Sequence, residues 1–145
     1  MPPDPAAGFA NDATALLQGF AEGRIDAPGV IERHLARLAE IQPGLNAATE
    51  ILADTARAEA AQPRPGPLSG VPISIKETYA LAGRKLTAGS LRMVPIECKA
   101  DAAAVARLRA AGAIVLARGN VPEFAMAAET ENPRFGRTDN PLAPG

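Results

Sequence analysis

The fold of this chain can be read outward from one stretch near its middle, Gly66-Pro67-Leu68-Ser69-Gly70-Val71-Pro72-Ile73-Ser74-Ile75-Lys76-Glu77. Within it, Val71, Ile73 and Ile75 alternate with proline or polar residues, which is the period of a strand with one face on a core. The alternation predicts a strand that ends at Lys76. Open α/β sheets place their reactive crevices at the carboxyl ends of strands, so Lys76 is a candidate catalytic residue. A strand-end lysine that simply points into solvent is the alternative interpretation.

The residues after Lys76 predict a parallel strand–helix–strand unit. A long loop of small residues is followed by a helix that Asp101 is expected to cap, with Leu108 facing inward and Gly112 closing it. Residues 113–117 are then wholly apolar, as in a strand that is buried on both faces. Because such crossovers are right-handed and parallel strands need a layer on each side, the sequence predicts an α/β fold.

The first 62 residues have a helical pattern. Asp12 is placed to cap one helix and Asp26 a second, whose apolar residues recur at helical spacing until an end predicted at Pro43-Gly44. A third helix is expected over residues 53–62, whereas residues 45–52 are compatible with either a strand or a helix. The first third of the chain is therefore expected to pack helices against the strands that follow.

The last third is expected to be mostly irregular. Asn120 is placed to cap a short helix over residues 121–128, and residues 130–145 are dense in turn-forming types. The sequence stops at a Pro-Gly pair, without a closing helix or strand, which predicts an incomplete domain. We therefore expect residues 1–145 to form a single incomplete domain, with a helical region at 1–62 and the start of an α/β core at 66–145.

Composition narrows the functional classes. The net charge of −1 and the 3% aromatic content argue against a nucleic-acid surface, which needs basic fields and stacking rings. The N-terminus lacks the pattern of a signal peptide and no apolar run is long enough to span a bilayer, so a cytoplasmic protein without membrane contact is expected. Cys98 and His34 are the only residues of their types, which disfavours a disulfide framework or a metal site. No cofactor is predicted.

Several blocks of sequence follow one another in the order found in a known family. They are Gly66–Glu77, Thr87-Ala88-Gly89-Ser90, Asp101–Ala113, Asn120-Val121-Pro122-Glu123-Phe124, Thr130-Glu131-Asn132-Pro133, and Phe135-Gly136 through Asn140-Pro141. With these blocks, residues 66–145 resemble the amidase signature family, the Ser–Ser–Lys amide hydrolases that include the A-type subunits of amidotransferases and fatty-acid amide hydrolase. The resemblance implies the start of an amidase α/β/α sandwich.

The resemblance also implies a mechanism. Family members use a lysine at the end of this strand, a bridging serine in a cis peptide, and a second serine as the nucleophile that forms an acyl-enzyme. Lys76 matches the lysine position. An ordinary lysine has a pKa near ~10.4 and becomes a base at neutral pH only when burial favours its uncharged form. Glu77 stands where the family more usually has aspartate, which keeps the charge.

The two serines of the family lie in a Gly-Ser-rich segment that follows the point where this sequence stops. The chain holds only Ser69, Ser74 and Ser90, none of which matches those positions. We therefore expect the N-terminal portion of an amidase that is inactive alone, acts on a small-molecule amide when complete, and could be complemented by a separate C-terminal fragment. There are two alternatives. Ser74 or Ser90 could pair with Lys76 inside this chain, or the chain could be a non-catalytic remnant that binds a partner.

Overall fold

The computed structural model describes residues 12–142, and twelve elements follow one another in this part of the chain. The helices and strands are α1 Ala13–Ala21, α2 Ala27–Leu45, β1 Ala48–Ile51, α3 Ala53–Ala61, β2 Pro72–Lys76, β3 Lys85–Leu86, β4 Ile96–Glu97, α4 Ala103–Ala110, β5 Ile114–Gly119, a 3-10 turn Glu123–Ala125, β6 Glu131–Asn132 and β7 Gly136–Arg137.

The central sheet has three strands in the order β1-β5-β2, with β5 in the middle. Strand β2 runs parallel to β5 in a register from Pro72 opposite Ile114 to Lys76 opposite Gly119. Strand β1 pairs with the other edge of β5 in the antiparallel direction. The predicted parallel unit is confirmed, and the segment compatible with either helix or strand contributes the antiparallel edge of the sheet.

Both faces of the sheet are covered, as the apolar run in β5 predicts. Ile114 and Leu116 face a cluster built with α2 and α3, whereas Val115 faces a cluster built with α4. The first cluster contains Ala27, Ile31, Leu35, Ala48, Ala56, Ala60, Ile114, Leu116 and Ala117. The second contains Leu52, Ile75, Leu81, Val105 and Val115. Burial of these side chains is the main favourable term holding the helices on the sheet.

Two aspartates start the first two helices as predicted. Asp12 Oδ1 accepts a hydrogen bond from the Ala15 amide at 2.9 Å, and Asp26 Oδ1 accepts one from the Gly29 amide at 2.8 Å. Each bond satisfies a backbone donor that the first turn of a helix leaves free.

The predicted end of the second helix was wrong by about one half-turn. Helix α2 continues through Pro43 to Leu45, and its last turn closes when the Asn46 amide donates to the Gln42 carbonyl at 2.9 Å. Asn46 adopts the left-handed conformation, with φ of 50°, which asparagine tolerates better than most residues. Its side chain also donates to the carbonyls of Phe135 and Arg137, so a distant loop helps to set where the helix ends.

Asp101 does not cap α4, which corrects the prediction for this residue. The residue at the N-cap is Ala102, with no side-chain bond. Asp101 instead accepts from the Ala82 amide at 2.8 Å and from Arg109 at 3.0 Å. Leu108 is 38% exposed rather than inward, since the short helix buries only Val105 fully.

Arg109 connects α4 to α3, although the two helices cover opposite faces of the sheet. Its guanidinium contacts Glu59 at 2.5 Å and Asp101 at 3.0 Å. Partial burial acts to lower the pKa of Arg109, but the hydrogen bonds and charges of Glu59 and Asp101 outweigh it and hold that pKa above its ordinary value. Arg109 therefore stays positively charged where it contacts the two carboxylates.

Gly112 closes α4 as predicted. Its φ of 98° is a conformation that residues with a side chain rarely adopt, and a Cβ there would lie 2.7 Å from Ser69 Cα. The close approach lets the Pro-rich connector pack against the start of β5.

We expect Asp26→Ala to lower the free energy of unfolding by about 1 kcal/mol, because the Gly29 amide loses its acceptor. Urea denaturation followed by circular dichroism measures the change. Glu40→Ala is the matched control, because it removes an exposed carboxylate of the same helix that pairs with Arg37 across the surface. Equal losses in both variants would contradict a capping role for Asp26.

Candidate active site

The carboxyl ends of β2 and β5 lie side by side, and the candidate lysine stands there. Lys76 is the last residue of β2 and is opposite Gly119 in the register. The amide of Glu77 donates to the Gly119 carbonyl at 3.0 Å, and the amide of Tyr79 donates to the Lys76 carbonyl at 2.9 Å. The backbone on both sides of Lys76 is therefore held by hydrogen bonds at this end of the sheet.

The side chain of Lys76 is exposed within the described structure. The alternation in the sequence predicts a strand that ends at this residue, and β2 does end there. The catalytic role of Lys76 remains a prediction. The burial that would favour an uncharged amine is not provided by residues 12–142.

The neighbouring Glu77 is 0% exposed, and sequence reasoning missed its importance. Its Oε1 accepts from the amide and the hydroxyl of Thr87, each at 2.9 Å, and lies 3.2 Å from Arg118 Nη2. The signal was present in the strand period, because residue 77 has the same parity as the inward-facing residues 71, 73 and 75. A charged residue on the core side of a strand needs a partner, and Arg118 in β5 is that partner.

The loop that Thr87 opens is buried at the same end of the sheet. Ala88 and Gly89 have φ values of 50° and 71°, and the Ala88 carbonyl accepts from the Phe124 amide at 2.8 Å. A Cβ on Gly89 would lie 2.9 Å from Asn132 Cγ, so this loop and the β6 strand are in contact. The long loop after Lys76 thus packs beside the candidate residue, as expected of a loop that lines a site.

Asn120 does not start a helix of eight residues, so the predicted helix over residues 121–128 is wrong. Only a 3-10 turn forms, with Phe124 and Ala125 at φ of 56°. The Asn120 side chain instead donates to the Gly136 carbonyl at 3.1 Å and to Thr138 Oγ1 at 3.0 Å, and it accepts from Asn132 at 2.8 Å. Tertiary hydrogen bonds to the last loop have replaced the local helix.

The alternative Ser–Lys pairs inside the chain find no support in the geometry. Within residues 12–142 no hydrogen bond joins Lys76 to Ser74 or Ser90. Ser74 is exposed on β2, whereas Ser90 is fully buried and its hydroxyl accepts from the Arg92 amide at 3.1 Å. His34 lies on α2 with its Nδ1 2.8 Å from the Val30 carbonyl, and it lines a cleft together with Ser74.

A cleft of about 460 Å³ opens beside the buried carboxylate. Its walls include Glu50, Glu77, Arg84, Arg118 and Arg134. In the described part of the chain no group of three or more His, Cys, Asp or Glu residues could hold a metal ion. No helix among residues 12–142 is long and apolar enough to cross a membrane.

Comparisons with known proteins agree with this architecture. The sequence model of the family described as Amidase matches residues 29–145. The A-type subunit of glutamyl-tRNA(Gln) amidotransferase from Symbiobacterium thermophilum is 35% identical over 138 residues, which are 89% of this chain and 28% of that protein. Its counterpart from Rhodopirellula baltica is 37% identical over 139 residues, or 90% of this chain and 28% of the relative.

Solved structures show the same likeness. The 6-aminohexanoate cyclic dimer hydrolase superposes with a TM-score of 0.85 at 31% identity, covering 93% of this chain and 28% of the hydrolase. The peptide amidase from Stenotrophomonas maltophilia superposes with a TM-score of 0.81 at 30% identity, covering 97% of this chain and 31% of that enzyme. The chain thus spans between a quarter and a third of the length of these relatives, and it belongs to the amidase signature family.

Proposed function

We propose that this chain supplies the general base of an amidase that cleaves carbon–nitrogen amide bonds, with Lys76 as the catalytic residue. The observation that carries the proposal is the place of Lys76 at the carboxyl end of β2, inside the segment that the family model matches. An amine on a flexible stem can lose its proton when it is desolvated, whereas arginine at the same place would remain charged. The division into a helical region 1–62 and a core region 66–145 remains part of this proposal.

In the proposed reaction, the uncharged amine of Lys76 takes a proton from a bridging serine, which takes one from the nucleophilic serine. The nucleophile's oxygen bonds to the amide carbonyl carbon, and the C–N bond breaks as the leaving amine receives a proton. Water then hydrolyses the acyl-enzyme and restores the serine. Because none of Ser69, Ser74 and Ser90 matches either family serine, the two hydroxyls of this mechanism belong to the Gly-Ser-rich segment of the family.

The exposure of Lys76 supports the proposal that the isolated chain is inactive. Residues 12–142 do not enclose its amine, and no serine in this part of the chain is hydrogen-bonded to it as a nucleophile would be. The relatives carry more than two thirds of their length outside the matched part. We infer that the corresponding polypeptide shields Lys76 from water and brings the serines and the oxyanion donors close to it.

The names of the relatives indicate the substrate class. One is a glutamyl-tRNA(Gln) amidotransferase component, one a hydrolase of the 6-aminohexanoate cyclic dimer and one a peptide amidase. All three names fit reactions at an amide. We therefore propose a small-molecule amide as the substrate of the assembled enzyme and the cytoplasm as its location.

The surface of the described structure favours a polypeptide partner that completes the amidase. Strand β2 lies at one edge of the three-stranded sheet, and Val94 and Met126 are more than 80% exposed. Open strand edges and large apolar side chains are features that proteins usually cover. A separate C-terminal amidase fragment is the proposed partner. Neither nucleic acid nor a membrane is proposed as a partner.

Replacing the matching segment of 6-aminohexanoate cyclic dimer hydrolase with this chain gives a grafted hydrolase in which the role of Lys76 can be measured. We expect the graft to hydrolyse its substrate and Lys76→Met to lower kcat by at least about 100-fold, because the general base is lost. Lys99→Met, which removes an exposed lysine of the same chain, is the control and should have no effect. Full activity in the Lys76→Met graft would refute the assignment. Amide hydrolysis by the isolated chain that depends on Lys76 would instead refute the expected inactivity of the chain alone.

We expect the chain alone to aggregate at micromolar concentration, because apolar side chains and a strand edge face water. The double substitution Val94→Lys with Met126→Lys should reduce static light scattering severalfold without lowering the unfolding temperature. Ala58→Lys with Ala61→Lys adds the same two charges at exposed positions of α3 and is the control for net charge alone. A sharp, reversible thermal transition of the unaltered monomer would contradict this expectation.

A further inference from the structure

We propose that the buried Glu77–Arg118 pair positions the catalytic lysine, by fixing the direction in which the chain leaves β2 immediately after Lys76. The inference rests on the proposed function only in taking Lys76 as the base. Glu77 and Arg118 are positioning residues, since neither is argued to contact the substrate.

Glu77 is held through both its side chain and its backbone. Oε1 accepts two hydrogen bonds from Thr87 and one from Arg118, and the Glu77 carbonyl accepts from Arg118 Nη2 at 3.2 Å. Its amide donates to the Gly119 carbonyl at 3.0 Å. Every backbone polar group of the residue that follows Lys76 is therefore bonded to β5, and its carboxylate is bonded to the loop that begins at Thr87.

Arg118 connects this point to two further elements. Its Nη1 donates to the Lys85 carbonyl in β3 at 2.8 Å and lies 3.5 Å from Glu50 in β1. The Arg118 side chain is only 5% exposed, and the residue precedes Gly119, the register partner of Lys76. One guanidinium thus ties β1, the β3 segment and the exit of β2 to the central strand.

Stability alone is a poor explanation for this pair. Glu77 Oε2 and Arg118 Nε are buried and have no hydrogen-bond partner among residues 12–142. A buried ion pair with unsatisfied atoms gains little over well-packed apolar residues of the same size. What the pair provides is a defined geometry, because charged hydrogen bonds are directional and apolar contacts are not.

A catalytic lysine needs such a defined geometry. The long, exposed stem of Lys76 gives its amine a wide reach, whereas a base must be held to within about 0.5 Å of its working position. Fixing the backbone at residues 76 and 77 removes one source of error in where the amine lies. The loop at Thr87 is fixed by the same carboxylate, so the lysine and one wall of the site move together.

Two measurements test the proposal. In the isolated chain that carries Val94→Lys and Met126→Lys to limit aggregation, hydrogen exchange read by mass spectrometry should speed up about tenfold on Glu77→Gln for peptides spanning residues 76–90, because the charged acceptor is lost. Peptides from α3 should change by less than about twofold. In the grafted hydrolase, Glu77→Gln should lower kcat about tenfold with KM unchanged, and Glu77→Asp should restore most of it. Glu32→Gln is the matched control, as Glu32 pairs with Arg57 on the surface.

A selective rise in exchange at residues 76–90 supports positioning, whereas a uniform rise or no change overturns it. In the graft, a change in KM alone, or in neither constant, overturns it as well. If Glu77→Gln does not fold, Thr87→Val removes one hydrogen bond at nearly constant volume and should give the same selective pattern at about threefold. The exchange measurement needs no turnover. It therefore shows whether the Glu77–Arg118 pair fixes residues 76–90 even if Lys76→Met shows that the lysine is not the base.

Discussion

The parallel pairing of Pro72–Lys76 with Ile114–Gly119 is the constraint on which the candidate site depends. Since both strands end at the same edge, the loops that follow them must begin side by side. The pairing is secured by β5, whose residues 114–117 are buried against helices on both faces. Once β5 is fixed between its layers, the register leaves Lys76 beside Gly119, and the positions of Glu77 and Asn120 follow.

Two further polar clusters hold the loops at that edge, and both reach across long separations in sequence. Glu77 and Arg118 are 41 residues apart, and Asn46 Nδ2 donates to the Arg137 carbonyl across 91. Such contacts form only after the sheet has brought the segments together, so they refine the site rather than create it. The apolar layers supply the driving force, while the buried polar groups specify which arrangement of the loops is adopted.

This division explains which features the sequence could predict. The caps at Asp12 and Asp26, the alternation in β2 and the apolar run in β5 are local patterns, and each was found where expected. Asp101 and Asn120 carry the same local signal for a helix cap, yet each has a distant partner. Asp101 accepts hydrogen bonds from Arg109 and the Ala82 amide instead of capping a helix, and Asn120 donates to Thr138. Local propensity is overruled where a buried tertiary bond competes for the same oxygen or amide.

Lys76 and Glu77 show how one strand can separate two requirements of a catalytic lysine. The alternation of side chains turns residue 77 to the core and residue 76 to the surface, so one is anchored while the other is free to meet a partner. A lysine base needs a rigid attachment and a dry amine. Residues 12–142 provide the rigid attachment, through the bonds that Glu77 makes to Arg118 and Gly119. Under the proposed function, the dry environment must then come from the same polypeptide that brings the serines, so proton transfer would begin only when the nucleophile is in place.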